Sequence, residues 1–133
     1  MNHREISVRT QSRLELLDIT GQLSRLARES RVADGLMVVF VPHTTAAVTI
    51  NENADPSVQH DILAELNRLV PHTGSYTHSE GNSPAHIQST LLGPSQTLFV
   101  QDGRLALGTW QGVYFCEFDG PRTRKIWVKI IPG

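Results

Sequence analysis

The 133-residue chain has one cysteine, Cys116. No internal disulfide framework can hold the fold, and such thiol usage fits a reducing compartment. Cys116 lies in the apolar run Val113-Tyr114-Phe115-Cys116, where a buried, inert thiol is the expectation. Charge of one sign is also lacking, with 12 Lys and Arg against 13 Asp and Glu and a formal net charge of −1. That balance gives no electrostatic basis for capturing nucleic acid or an anionic membrane. Long apolar runs are missing: the longest, Leu36 to Val41, falls far short of the ~20 residues that span a bilayer. Met1-Asn2-His3-Arg4-Glu5 has no apolar stretch behind it to act as a secretory signal. A soluble cytoplasmic protein is expected. There is no Walker-type loop, no Gly-x-Gly-x-x-Gly and no Gly-x-Ser-x-Gly elbow, so nucleotide binding by the first two routes is unsupported.

With 39% hydrophobic and 19% charged residues, the chain reads as one globular domain over residues 1–133. Ile6 to Thr10 and Leu14 to Ile19 read as short strands. Thr20 is placed to cap a helix carrying Leu23, Leu26 and Ala27 on one face. Leu36 to Val41 has the length and β-branched content of a buried central strand, and Ala46 to Ile50 reads as a second apolar strand. The clearest helix opens at Asp55-Pro56, with Asp55 as cap and Pro56 at the first helical position. Val58, Ile62, Leu63, Leu66, Leu69 and Val70 then form a stripe expected to face the core, and Pro71 ends it. The polar stretch from His72 to Pro84 reads as a loop, and its length marks it as functional or disordered. Gln96 to Val100, Arg104 to Leu107 after the hairpin signal Asp102-Gly103, Gly112 to Phe118 and Thr123 to Ile131 complete the strands. About seven or eight strands and two or three helices, with strands clustered at both ends, predict an α+β fold with a mostly antiparallel sheet or sandwich.

Six histidines are present. His3 is terminal, His60 falls on the polar face of the Pro56 helix, and His72 suits the negative end of that helix dipole. His43 directly follows Pro42 at the end of the buried strand, while His78 and His86 bracket the second half of the long loop. Neutral imidazoles are the commonest metal ligands, and three with an open fourth position match a catalytic zinc site. Equally, each could simply donate hydrogen bonds that tie down the loop. Glu80, two residues from His78, is a candidate general base or carboxylate behind a ligand. Glu52 and Asn53 lie just ahead of the Pro56 helix, where free N–H groups favour an anion; capping is the competing reading. Thr44 and Thr45 bring hydroxyls beside His43, Asn82 stands in the loop between His78 and His86, and Trp110-Gln111 reads either as packing at a site or as core. Arg122 suits a carboxylate or phosphate, although the run Arg122, Arg124, Lys125 also reads as a solvated turn.

Taken in order, His43-Thr44-Thr45-Ala46-Ala47, Asn51-Glu52-Asn53-Ala54-Asp55-Pro56, Gly81-Asn82-Ser83-Pro84-Ala85-His86-Ile87, Leu91-Leu92-Gly93-Pro94-Ser95, Asp102-Gly103-Arg104-Leu105-Ala106-Leu107-Gly108-Thr109-Trp110-Gln111 and Glu117-Phe118-Asp119-Gly120-Pro121-Arg122 resemble the YjbQ family. The resemblance implies a small α+β domain in a homotrimer, with the histidine segments in a cleft near the subunit boundary. It also implies that His43, His78 and His86 are the motif histidines, and it brings the family label of secondary thiamine-phosphate synthase. Joining a pyrimidine diphosphate to a thiazole phosphate usually needs Mg²⁺ held by carboxylates and phosphate, whereas histidines suit zinc or a related transition metal. The functional expectation is therefore a metal-dependent enzyme on a small phosphorylated or anionic metabolite, with synthase activity at most a weak accompaniment. A non-catalytic trimeric metal- or metabolite-binding protein is the alternative.

Overall fold

Alternating burial along Thr123 to Pro132 and Arg4 to Arg9 builds the first layer of the fold. The computed structural model describes residues 3–133; Met1 and Asn2, where the reading of a leaderless start begins, lie outside the described residues. Chain order is β1 (Arg4–Arg9), β2 (Glu15–Asp18), α1 (Thr20–Ser30), β3 (Gly35–Phe40), β4 (Ala46–Glu52), α2 (Pro56–Leu69), α3 (Ser83–Leu92), β5 (Ser95–Gln101), β6 (Arg104–Leu105), β7 (Gln111–Glu117) and β8 (Thr123–Pro132). A five-stranded sheet runs β1-β8-β3-β5-β6 and a three-stranded sheet runs β2-β7-β4. Every pairing is antiparallel. The α+β sandwich expected from the strand pattern is what forms.

The two sheets face each other across one core. Val8, Met37, Val39, Leu98, Ile126 and Val128 come from the larger sheet, and Val48, Val113 and Phe115 from the smaller, with Leu23, Leu26 and Ala27 of α1 beside them. The far face of the smaller sheet, through Ala47 and Cys116, packs with Ala85 of α3, Phe118, Leu66 of α2 and Leu92. Cys116 is buried and free, as expected.

Several local expectations change. Thr20 does not cap α1 but is its first residue. Its hydroxyl donates to Asp18 Oδ1 at 2.6 Å and accepts the Val113 N–H at 2.8 Å, which ties α1 to β7 instead. Asp55 does cap α2, accepting the Ser57 N–H at 2.9 Å, but no residue of α2 is fully buried; Val58, Ile62, Leu63 and Leu66 are half-buried, Leu69 is exposed, and Val70, just past the helix, is buried. The His72–Pro84 loop is interrupted at Ser83, where α3 begins and carries His86 in its first turn. That helix buries Pro84, Ala85, Gln88 and Ser89, small or polar groups that give no apolar stripe to read. β6 is only two residues long, and the Asp102-Gly103 turn before it takes the left-handed backbone that the dipeptide favours, φ 52° and 73°. His3 is not free: its ring stacks on Trp127.

β3 is central, between β8 and β5, but buried on one face only. Met37 and Val39 point inward while Leu36 and Phe40 are exposed. Leu36 pairs across with Phe99 and Ile131, and Phe40 with Trp127, so an apolar row crosses the outer face of the larger sheet. Among the described residues, no helix is long and apolar enough to cross a membrane.

Candidate functional site

β3 ends at Phe40, and Pro42 turns the chain at the open end of the sandwich, which brings His43, Thr44 and Thr45 to the mouth of a cleft of ≈ 400 Å³. The first turn of α3 and the loop before it bring His78, Glu80, Asn82 and His86 to the same place. The β7–β8 connection adds Asp119, Arg122 and Arg124. Three segments far apart in sequence thus meet. A larger hollow of ≈ 470 Å³ lies elsewhere, between α1 and β8, and its lining is mainly aliphatic, so the chemistry belongs to the smaller one.

The floor of the cleft rests on a buried ion pair. Glu117 and Arg124 occupy inward positions of β7 and β8, in step with Val113 and Phe115 on one strand and Ile126 and Val128 on the other. A charge there needs a partner. Arg124 Nε donates to Glu117 Oε1 at 2.9 Å and its Nη2 donates to Oε2. Nη2 also donates to Thr45 Oγ1 at 2.8 Å and to Thr45 O at 3.2 Å. Thr10 Oγ1 and the Asp119 N–H donate to the same carboxylate, at 2.8 and 3.0 Å. Burial pushes the Glu117 carboxyl up, but the hydrogen bonds from Arg124, Asp119 and Thr10 more than offset it and hold the group below its ordinary value. Glu117 and Asp119 escaped the sequence reading, and Arg124 entered it only within a basic run read as a solvated turn, whereas it is 3% exposed; the available signal was a Glu and an Arg at inward registers of two apolar strands.

On the wall, Arg122 Nε donates to Asp119 O at 2.9 Å and Nη2 to Asp119 Oδ2 at 3.2 Å, so this arginine already has a carboxylate partner. Asn82 Nδ2 donates to the same Oδ2 at 2.9 Å, while its own Oδ1 is buried with no donor. His78 and His86 stand edge to face with ring centroids 5.1 Å apart, and Glu80 Oε1 lies 4.0 Å from His78 Nε2. His43 Nε2 accepts the Lys125 backbone N–H at 2.9 Å. Burial, then the nearby Arg124 charge, lowers the His43 pKa below 6.5.

The expected three-imidazole metal set does not fit this geometry. Among the described residues, no group of three or more His, Cys, Asp or Glu side chains is placed to hold a metal ion. The physical reason lies in His43: a neutral imidazole has one nitrogen lone pair, and Lys125 occupies it. The lone pairs of His78 and His86 have no such backbone donor, so the donor chemistry of a two-histidine site remains.

Glu52, Asn53, Trp110 and Gln111 do not join the cleft. They cluster at the other end of β4, where Glu52 pairs with Gln111 and the Asn53 N–H donates to Trp110 O at 2.8 Å. β4 is seven residues long, so this cluster is roughly 20 Å from Thr45 at ~3.3 Å per residue. Trp110 is 64% exposed, neither core nor stacked at the histidines. Thr44, Thr45, Asn82 and Arg122 line the same cleft as the three histidines.

An antiparallel sandwich with a helical outer layer and a histidine- and arginine-lined end cleft defines the class of protein. A family model described as UPF0047 protein YjbQ-like matches residues 4–133, and the chain belongs to that family. It is 56% identical to the UPF0047 protein MJ1081 of Methanocaldococcus jannaschii, over 93% of this chain and 90% of that one. It is 44% identical to the UPF0047 protein YugU of Bacillus subtilis, over 96% of this chain and 98% of the relative. The crystal structure of a YjbQ/UPF0047 family protein from Clostridium acetobutylicum superposes with a TM-score of 0.95 at 54% identity, covering 96% of this chain and 99% of that chain. A structure from Sulfolobus solfataricus, described as a YbjQ-like protein of unknown function, gives a TM-score of 0.94 at 34% identity, over 98% of this chain and 96% of the other.

Proposed function

We propose that the cleft is the working site of an enzyme acting on a small phosphorylated or otherwise anionic metabolite. The observation that carries this reading is the convergence of His43, His78, His86, Glu80, Arg122 and Arg124, from three separate segments, on one polar hollow. Glu80 and His78 lie within 4.0 Å and form a proton-moving pair at its rim. Thr44 and Asn82 orient the ligand, and Thr45 acts indirectly by holding Arg124. His78 and His86 are the imidazoles with the chemistry to hold a divalent transition metal, zinc by donor type; when bound it would supply Lewis-acid polarisation or an activated water. Thiamine-phosphate synthesis is, in this reading, a weak reaction of the same cleft. The balanced net charge of −1 argues against nucleic acid or membrane as partner, and the single buried thiol suits the cytoplasm.

A homotrimer, the assembly the family resemblance implies, is the one we favour, and the outer face of the larger sheet offers it an interface in Leu36, Phe40, Phe99 and Ile131, with Phe99 63% exposed. Contiguous apolar patches of this kind mark interfaces. Light scattering that found a monomer at working concentrations would end that part of the reading.

The deciding experiment assays the untagged chain against phosphorylated metabolites, including both thiamine-phosphate precursors, beside His78→Ala and His86→Ala. Loss of general acid–base groups should lower turnover about a hundredfold or more; turnover unchanged in both variants would sink the proposal. Saturable binding with every ligand recovered intact would make the cleft a binding site without chemistry. Metal analysis of the same untagged protein tests the zinc assignment, which fails if no metal is bound and none binds saturably on addition.

A further inference from the structure

We propose that the Nδ1–H of His43 and the free Nη1 edge of Arg124 form an oxyanion-binding pair in the cleft, suited to an oxygen of a phosphate or carboxylate. This rests on reading the cleft as a ligand site, and names which of its groups grip the anion.

His43 supplies one donor by elimination. Its Nε2 accepts the Lys125 N–H at 2.9 Å, which requires a lone pair there. The ring is therefore neutral and its single proton sits on Nδ1. Among the described residues Nδ1 has no hydrogen-bond partner. The buried polar side-chain atoms without partners among the described residues are Asn82 Oδ1 and Gln88 Oε1. Nδ1 is not one of them, and His43 lines the cleft, so with Nε2 engaged this N–H is the group its ring can offer a ligand there. Burial and the Arg124 charge both favour the neutral ring this tautomer needs.

Arg124 supplies the other. Its residue is only 3% exposed. Nε is spent on Glu117 Oε1, and Nη2 on Glu117 Oε2 and Thr45. Among the described residues Nη1 donates to nothing, and Arg124 lines the cleft, so this N–H edge is what its guanidinium can offer a ligand there. The two-pronged hold of Glu117 prevents the head group from turning away. A donor fixed before the ligand arrives loses little entropy on binding. Arg122, the sequence candidate for this role, is less suited because Asp119 already occupies its Nε and Nη2.

The test needs no turnover, so this pair can fail while the enzyme reading stands, and the reverse. The full chain, ¹⁵N-labelled in histidine and arginine, is titrated with inorganic phosphate at constant ionic strength set by chloride. The expected spectrum has His43 protonated on Nδ1, with His43 and Arg124 signals moving along one saturating curve. His43→Ala, at a half-exposed position, should keep the fold and weaken phosphate binding about ten- to a hundredfold, the usual worth of a hydrogen bond to a charged group. A thermal melt checks that it stays folded. A His43 proton found on Nε2, absence of saturable shifts, or equal phosphate affinity in wild type and His43→Ala would each overturn the assignment.

Discussion

Arg124 and Glu117 meet inside the molecule with Nε 2.9 Å from Oε1, a full ion pair sealed between two strands at the base of the cleft. Removing one member strands the other charge where little solvent reaches it. Glu117→Gln or Arg124→Met should each cost about 3–5 kcal/mol of stability. The double variant Glu117→Leu/Arg124→Met should cost clearly less than the two added together, because it leaves no orphan charge. Urea unfolding of the three variants measures this.

The same carboxylate sets an acid limit. Its folded pKa lies below the ordinary 4.5, so the unfolded chain takes up the proton first as pH falls. The Glu117 contribution is whole above about 4.5 and drains away as pH drops through the lowered value. In a Glu117→Gln background, the acid branch of the stability curve should be shallower; an identical slope would exclude Glu117 as its source.

His43 acts in a higher window. Its folded pKa is also depressed, from 6.5, so the fold prefers the neutral ring. Above 6.5 both states are neutral and the contribution is complete; it is lost as pH falls from 6.5 through the folded value, where the unfolded chain binds the proton more readily. Denaturation midpoints taken on both sides of pH 6.5 should decline on the acidic side for the wild type, and less so for His43→Ala.

Cys116 is buried, and desolvation raises its thiol pKa far above the ordinary range. A thiol reagent should leave the native chain unmodified and label it at the rate of unfolding. Fast stoichiometric labelling without denaturant would show the strand pairing there to be open.

Two glycines should respond in opposite ways to alanine. At Gly35, a Cβ would stand 2.2 Å from the Ile131 carbonyl oxygen, backbone that cannot yield cheaply, so Gly35→Ala should cost about 1–3 kcal/mol or more. At Gly21, on the exposed side of α1, nothing lies within 4 Å, and Gly21→Ala should stabilise by about 0.5–1 kcal/mol. Melting temperatures of the two variants give the comparison directly.

What could be read in advance follows the kind of signal each element carries. Asp55-Pro56 announces α2 because capping is local chemistry, and Asp102-Gly103 announces its hairpin for the same reason. α3 stays hidden because it buries Pro84, Ala85, Gln88 and Ser89 in place of a leucine stripe. The histidines were legible as a group, and His43, His78 and His86 do share a cleft. Their competence as ligands was not, since it turns on the Lys125 N–H, a group every residue but proline has and no sequence pattern marks. Glu52, Asn53, Trp110 and Gln111 were assigned to that cleft by their chemistry alone, and the length of β4 separates them from it.

One strand serves two surfaces. β8 sends Trp127 to the uncovered outer face of the larger sheet, beside Phe40, and two residues earlier its Lys125 amide grips the His43 ring. Anything that docks on that face and shifts β8 by a fraction of an ångström also tilts the imidazole at the cleft mouth. Were copies of the chain to associate through that face, as proposed above, the association and the cleft would be coupled through a single peptide group, and dilution would be felt at His43.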